Sequence, residues 1–153
     1  SGYVAVAHAT EMAVTETLEL EEGVRRRLDR DLDAVIVNGT VPRRFTREEL
    51  ERIARLEDDP AGAAAHNADR GAGKPPGRGG RGARDPSVVR SAARTARTVH
   101  ERARLQQSQI ARLRRQRFAE GSPAAVITIP FAFTPELDLA AVREIAARMG
   151  RRL

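Results

Sequence analysis

The stretches AVIVN at Ala34–Asn38 and AVITIPF at Ala125–Phe131 decide the fold of this chain. Both runs are apolar and rich in β-branched residues, as are strands that parallel sheets bury on both faces. The first run ends at Asn38, and the second ends at Pro130 and Phe131. Open α/β sheets bind ligands beyond the carboxyl ends of their strands. We therefore expect these three residues to lie at a ligand-binding edge.

A strand, a helix and a second strand precede that first edge. Tyr3–Ala7 (YVAVA) predicts a short buried strand, and a helix is expected over Val14–Leu28, followed by a strand over Leu32–Asn38. This order within about 35 residues is that of a βαβ unit with parallel strands. The fold class predicted is α/β, a partial doubly wound, Rossmann-like parallel sheet. The inner face of the helix is expected to carry Val14, Leu18, Val24 and Leu28.

Helix signals also occur in the remainder of the chain. Thr46–Glu49 (TREE) is a capping box that predicts a helix through about Leu56. A long helix is expected over Ser87–Arg117, with contact strongest at its two ends because Gln106 interrupts its apolar stripe. A strand over Ala125–Ile129 and a helix over Leu139–Met149, capped by Asp138, complete the prediction.

The segment Asp58–Pro86 has a different composition, rich in Gly, Pro and Arg and without a large apolar residue. Such a segment cannot bury enough surface to offset the entropy of ordering, so we expect a mobile insert. Its GAGKPPGRGGRG stretch at Gly71–Gly82 resembles a phosphate-binding loop only superficially. Lys74 is followed by two prolines instead of Ser or Thr, and proline removes the N–H groups that would hold phosphate.

Composition restricts the possible function classes. The 153 residues are 41% hydrophobic, enough for one domain core, and contain no cysteine, which excludes disulfides and thiol chemistry. No apolar run is long enough to span a membrane, and we expect a cytoplasmic protein. The net charge of +6 invites a nucleic-acid interpretation, but Lys74 is the only lysine among 27 basic residues. That bias is typical of GC-rich coding, so the arginine excess says little about partners and weakens the nucleic-acid interpretation, and we expect no nucleic-acid partner.

Asn38 has two interpretations from the residues alone. Its amide offers a donor and an acceptor in one plane, which matches the edge of adenine. Alternatively, Asn38-Gly39 is a simple turn, since both residues tolerate positive φ. For Pro130 and Phe131 the alternatives are contact with a purine base, or a strand terminator followed by a core residue.

These motifs together resemble the carboxyl-terminal half of the arsenite-pump ATPases, a P-loop NTPase family that includes the ATPases targeting tail-anchored membrane proteins. Members have a strand ending in V-N whose Asn faces adenine, and a later strand ending in Pro and a bulky residue. Members also have an L-P-E-E-M-P-V-x-E-T motif, to which HATEMAVTET at His8–Thr17 is similar. The positions of that motif that match are Glu11, Met12, Val14, Glu16 and Thr17.

The resemblance implies that residues 1–153 are the carboxyl-terminal part of one ATPase domain, binding ATP through Asn38, Pro130 and Phe131. No residue matches the family's catalytic or metal-binding parts, so Mg²⁺ and hydrolysis would require the half that carries the phosphate-binding loop, and whether the chain is an enzyme stays open. The implied partners are a homodimer or a pseudo-dimer with that half, and a membrane pump or a client protein.

Two alternatives remain from the sequence. The long helix carries nine arginines against one glutamate, which suits a solvated face or a non-enzymatic adaptor that binds an anionic surface or nucleic acid. The other alternative is an inactive remnant, because the family's Leu-Pro-Glu is replaced by His8-Ala9-Thr10.

Overall fold

The computed structural model describes residues 2–60, 85–119, 121, 125–133 and 136–150. Within those ranges the fold is α/β, with a three-stranded parallel sheet and four helices, compatible with a partial Rossmann-like fold. The elements are β1 (Val4–His8), α1 (Glu11–Leu28), β2 (Ala34–Thr40), α2 (Arg47–Asp58), α3 (Pro86–Ala119), β3 (Ala125–Pro130) and α4 (Leu139–Gly150).

The strands lie in the order β1-β2-β3, and both neighbouring pairs are parallel. Val35 of β2 is in register with Ala5 of β1 and with Val126 of β3. The expected parallel sheet is confirmed. Because the strand order follows the chain order, the described sheet contains no reversal, the feature beside which open α/β sheets form their ligand crevice.

One face of the sheet carries the core. Val35 and Val37 of β2 are fully buried there, and they cluster with Val14 of α1 and with Ile110 and Leu113 of α3. Helices α1 and α3 therefore pack on the same face of the sheet. Burial of these branched side chains, each worth about 1.5–3 kcal/mol, holds the three elements together.

The opposite face of the sheet is covered unevenly. Ile36 of β2 and Ile127 of β3 are buried, and α4 contacts β3. On β1, by contrast, Val4 is 51% exposed and Val6 is 68% exposed. No strand pairs with the outer edge of β1 among the described residues. Strand β1 is therefore exposed on one face of the sheet, and its outer edge is unpaired within the described residues.

Helix α1 begins three residues before the predicted start at Val14, because Thr10 caps it by accepting a hydrogen bond from the Ala13 N–H. The helix ends at Leu28, and its C-cap residue Asp29 has a left-handed φ of 52°. Val14 is buried as expected, but Leu28 is 50% exposed, so its predicted place on the inner face is wrong. Glu21, a residue that the pattern left outside the core, is fully buried instead.

Helix α2 has the predicted capping box. The Glu49 N–H donates to Thr46 Oγ1 at 3.3 Å, and Glu49 Oε2 accepts from the Thr46 N–H at 2.8 Å. The backbone and side-chain hydrogen bonds from Thr46 lower the pKa of Glu49 below its usual range. This helix belongs to a compact unit of residues 43–102, whereas residues 1–42 and 103–153 form the unit that contains the sheet.

An aspartate immediately before each helix caps the N-terminus of α3 and of α4. Asp85 Oδ1 accepts from the Ser87 N–H at 2.8 Å and Pro86 takes the first helical position, while the hydrogen bonds from Ser87 lower the pKa of Asp85. Asp138 Oδ1 accepts from the Ala141 N–H at 2.8 Å, which confirms the predicted cap of α4.

Most of the predicted mobile insert, residues 61–84 with the Gly71–Gly82 stretch, lies outside the described residues. Across the part of the chain that the structure does describe, no helix has both the length and the apolar character needed to cross a bilayer.

Candidate functional site

The three predicted site residues lie at the carboxyl edge of two neighbouring strands. Thr40 of β2 is in register with Pro130 of β3, and the Phe131 N–H donates to the Thr40 carbonyl oxygen at 2.9 Å. Asn38 is exposed, Pro130 is half-buried, and Phe131 is 54% exposed. Phe131 therefore does not fill the core, which was one of its two interpretations.

Strand β2 does not stop at Asn38 as predicted but continues to Thr40 through an irregularity. The register shifts between Val37 and Thr40, so that β2 contains one more residue than β3 over this stretch. Gly39 takes a φ of 69°, which glycine adopts at little cost. Asn38 and Gly39 thus form a β-bulge, a feature that re-aims side chains at the ends of strands.

Gln106 of α3 fixes the backbone on either side of Thr40. Its Oε1 accepts from the Val41 N–H at 2.7 Å, and its Nε2 donates to the Gly39 carbonyl oxygen at 3.3 Å. The side chain is only 8% exposed, so these bonds also satisfy a buried amide. The expectation that Gln106 interrupts the contact of α3 is therefore wrong, since Gln106 itself makes that contact.

A second polar bond ties the two strand ends together. Thr40 Oγ1 donates to the Ile129 carbonyl oxygen at 3.2 Å, and Thr40 is itself buried. With the bonds from Gln106, this contact holds the bulge from two sides. The exposed amide of Asn38 is accordingly carried on a backbone that is fixed by its neighbours.

His8 joins this edge from β1, which the sequence did not indicate. It is in register with Asn38, so both side chains lie on the same face of the sheet. Its ring atoms Nδ1 and Cε1 lie 3.7 Å and 3.9 Å from where a Cβ on Gly39 would be. Only strand pairing brings the imidazole to the bulge, because His8 and Gly39 are far apart in the chain.

An aromatic pair borders the edge on the β3 side. The rings of Phe131 and Phe133 pack edge to face, with centroids 4.9 Å apart and planes at 69°. Both side chains are more than half exposed. They offer an apolar surface of the kind that stacks on flat aromatic ligands.

The chemistry available at this edge is binding, through an amide, an imidazole and two aromatic rings. The Asn38 side chain makes no hydrogen bond to any residue that the structure describes, so its donors and acceptor face outward. No group of three or more His, Asp or Glu residues in the described ranges could hold a metal ion.

A buried ion pair supports the same unit from the helices that cover the sheet. Arg117 Nη1 of α3 lies 3.2 Å from Glu21 Oε2 of α1, with side-chain exposures of 2% and 0%. Charges buried this deeply are tolerated only when they are paired. The pair links α1 to α3, and no periodicity in the sequence could have indicated it.

Some of the nine arginines of α3 pair with carboxylates within the protein. Arg94 and Arg97 lie 3.5 Å and 3.4 Å from Glu57 of α2, and Arg97 also pairs with Glu101. Hydrogen bonds from Arg97 to Glu101 and Glu57 raise the pKa of Arg97. Arg102, Arg104, Arg114 and Arg115 are exposed. Part of the basic charge that suggested an anionic partner is therefore used within the protein.

No protein-family model matches the chain, and no curated protein matches it.

Proposed function

We propose that this chain is the adenine-side portion of a P-loop ATPase resembling the arsenite-pump and tail-anchored-protein-targeting enzymes. The exposed amide of Asn38, carried on a backbone-fixed bulge at the same strand edge as Phe131, is the observation that supports this proposal most. An amide with no hydrogen bond to a described residue is available to pair with the edge of a base. The ring of Phe131, or of Phe133, then stacks on the face of that base.

In this proposal the chain binds the base of ATP and does not hydrolyse it alone. The sequence has no phosphate-binding loop, so the phosphates, Mg²⁺ and the catalytic groups come from a polypeptide segment that carries one. The absence of a strand-order reversal in the described sheet supports this division, since the ligand crevice then requires a further strand. The open edge of β1, with Val4 and Val6 exposed, is where such a strand would add.

The proposed partner is that second segment, in a homodimer or a pseudo-dimer that closes over the nucleotide in the cytoplasm. The further partner of the assembled ATPase would be a membrane pump or a client protein.

Calorimetric titration of the chain with ATP and GTP tests the proposal, using Asn38→Ala and a matched control, Gln107→Ala. Gln107 is an exposed amide of α3, outside the candidate site. We expect ATP to bind more tightly than GTP, and Asn38→Ala to weaken ATP binding by about tenfold, since a paired amide on a base edge is worth about 1–3 kcal/mol.

Gln107→Ala should bind ATP as the parent does. The proposal would be contradicted if ATP and GTP bind with equal affinity, if that affinity falls steeply with salt, and if Asn38→Ala leaves it unchanged. That pattern is typical of phosphate-driven binding and would favour the arginines of α3 as the binding surface.

A further inference from the structure

The outer face of α1 carries four residues in a self-complementary order. Glu16, Leu20, Gly23 and Arg27 follow one another at spacings of four, three and four residues, which places them along one stripe of the helix. They line a single open groove of about 790 Å³. The stripe lies on the opposite side of α1 from its buried residues, such as Val14 and Glu21.

In the middle of this stripe the exposed side chain of Leu20 projects beside Gly23, whose missing side chain leaves a notch in the helix surface. Leu20 is 52% exposed although its neighbours on the inner face are buried. Gly23, next along the stripe, would have nothing within 4 Å of a Cβ. Glycine lowers helix stability by roughly 0.8–1 kcal/mol relative to alanine, so a glycine at mid-helix needs an explanation. Close approach of another helix supplies one.

The ends of the stripe carry opposite charges. Neither Glu16 nor Arg27 forms an ion pair with a residue that the structure describes, whereas Glu22 and Arg26 on the same helix pair at 3.4 Å. Leu20 and Gly23 occupy the positions four residues inward from Glu16 and Arg27, so neither charge has an opposite charge there.

We propose that α1 pairs in antiparallel fashion with α1 of a second copy of this chain, about a two-fold axis that faces the stripe at a level midway between Leu20 and Gly23. Glu16 and Arg27 are equally distant from that level, and so are Leu20 and Gly23. Each Leu20 then enters the notch at Gly23 of the second copy, and each Glu16 meets Arg27 of the second copy. Such a contact is isologous and closes as a dimer.

The dimer should be weak and sensitive to salt. One helix from each copy buries little area, at or below the lower end of specific interfaces, about 1,200 Å². The two ion pairs are at the rim of the contact, where salt screens them. This contact is distinct from the nucleotide-closing dimer above, because it uses α1 and needs no nucleotide.

Sedimentation equilibrium of the nucleotide-free chain, from about 10 μM to about 1 mM, tests the contact. The parent should shift from monomer toward dimer over this range at low salt. Glu16→Arg and Arg27→Glu, each alone, should weaken the dimer by tenfold or more, because each places two like-charged pairs across the axis. The double variant, with the net charge of the parent, should restore it.

Thermal unfolding of each variant at low concentration controls for loss of the fold, which should not change because both side chains are exposed. A parent that stays monomeric at the highest concentration would overturn the proposal. The proposal would also be overturned if the single variants dimerise as tightly as the parent, or if the double variant does not regain the dimer.

Discussion

At the scale of single residues, Gly39 has the most exacting backbone position in the candidate site. Its φ of 69° means that alanine there is strained, at a cost of about 1–2 kcal/mol, whereas the His8 ring is at ordinary contact distance from an added Cβ. Gly23→Ala is the matched control, because its site is open and helical, and alanine should stabilise it by about 0.5–1 kcal/mol. Urea unfolding at low protein concentration measures both. A Gly39→Ala variant as stable as the parent would show that the bulge does not require glycine.

At the scale of elements, the ion pair of Glu21 and Arg117 links α1 to α3. Glu21→Leu or Arg117→Met alone removes the 3.2 Å contact between the two buried charges and should lower the free energy of unfolding by about 3–5 kcal/mol, although Arg25 Nη2 also lies 4.0 Å from Glu21 Oε1. Replacing both, as Glu21→Leu with Arg117→Met, should restore most of that loss, since apolar side chains of similar volume often replace a buried pair without cost. Unfolding midpoints in urea measure the cycle. Additive losses in the double variant would mean that the two side chains act independently.

The elements also separate what sequence predicts from what it does not. Local signals were sufficient for the Thr46–Glu49 capping box and the Asp138 cap, because their partners are three residues away. The apolar runs predicted all three strands and their parallel arrangement. Burial of Gln106, by contrast, depends on backbone groups more than sixty residues distant, and a periodicity that counts only apolar residues misreads it.

The candidate site was predicted to a similar extent. Asn38, Pro130 and Phe131 were found because strand ends are visible in the sequence, and the structure brings them to one edge. His8 was missed because only the pairing of β1 with β2 sets it beside Gly39. The bulge at Gly39 was read as a strand end because the sequence does not reveal that β2 continues to pair.

At the scale of the whole molecule, the described sheet is covered on one face and only partly covered on the other, where β1 is exposed. The face under α1 and α3 is closely packed, whereas β1 exposes Val4 and Val6 and pairs on one side only. Natural β-sheet proteins usually protect an exposed edge strand against pairing with other chains. This openness is consistent with a chain that holds one side of a nucleotide and leaves the phosphates to another segment.

The central claim is that the carboxyl edge of β2 and β3 binds a purine base, and amide chemical-shift mapping of the isotope-labelled chain tests it most directly. Titration with ATP should move the backbone amides of Gly39–Val41, Phe131 and Phe133 most, with smaller movements for GTP and for the Asn38→Ala variant. Shifts confined to the arginine-rich α3, or equal for both nucleotides, would contradict it.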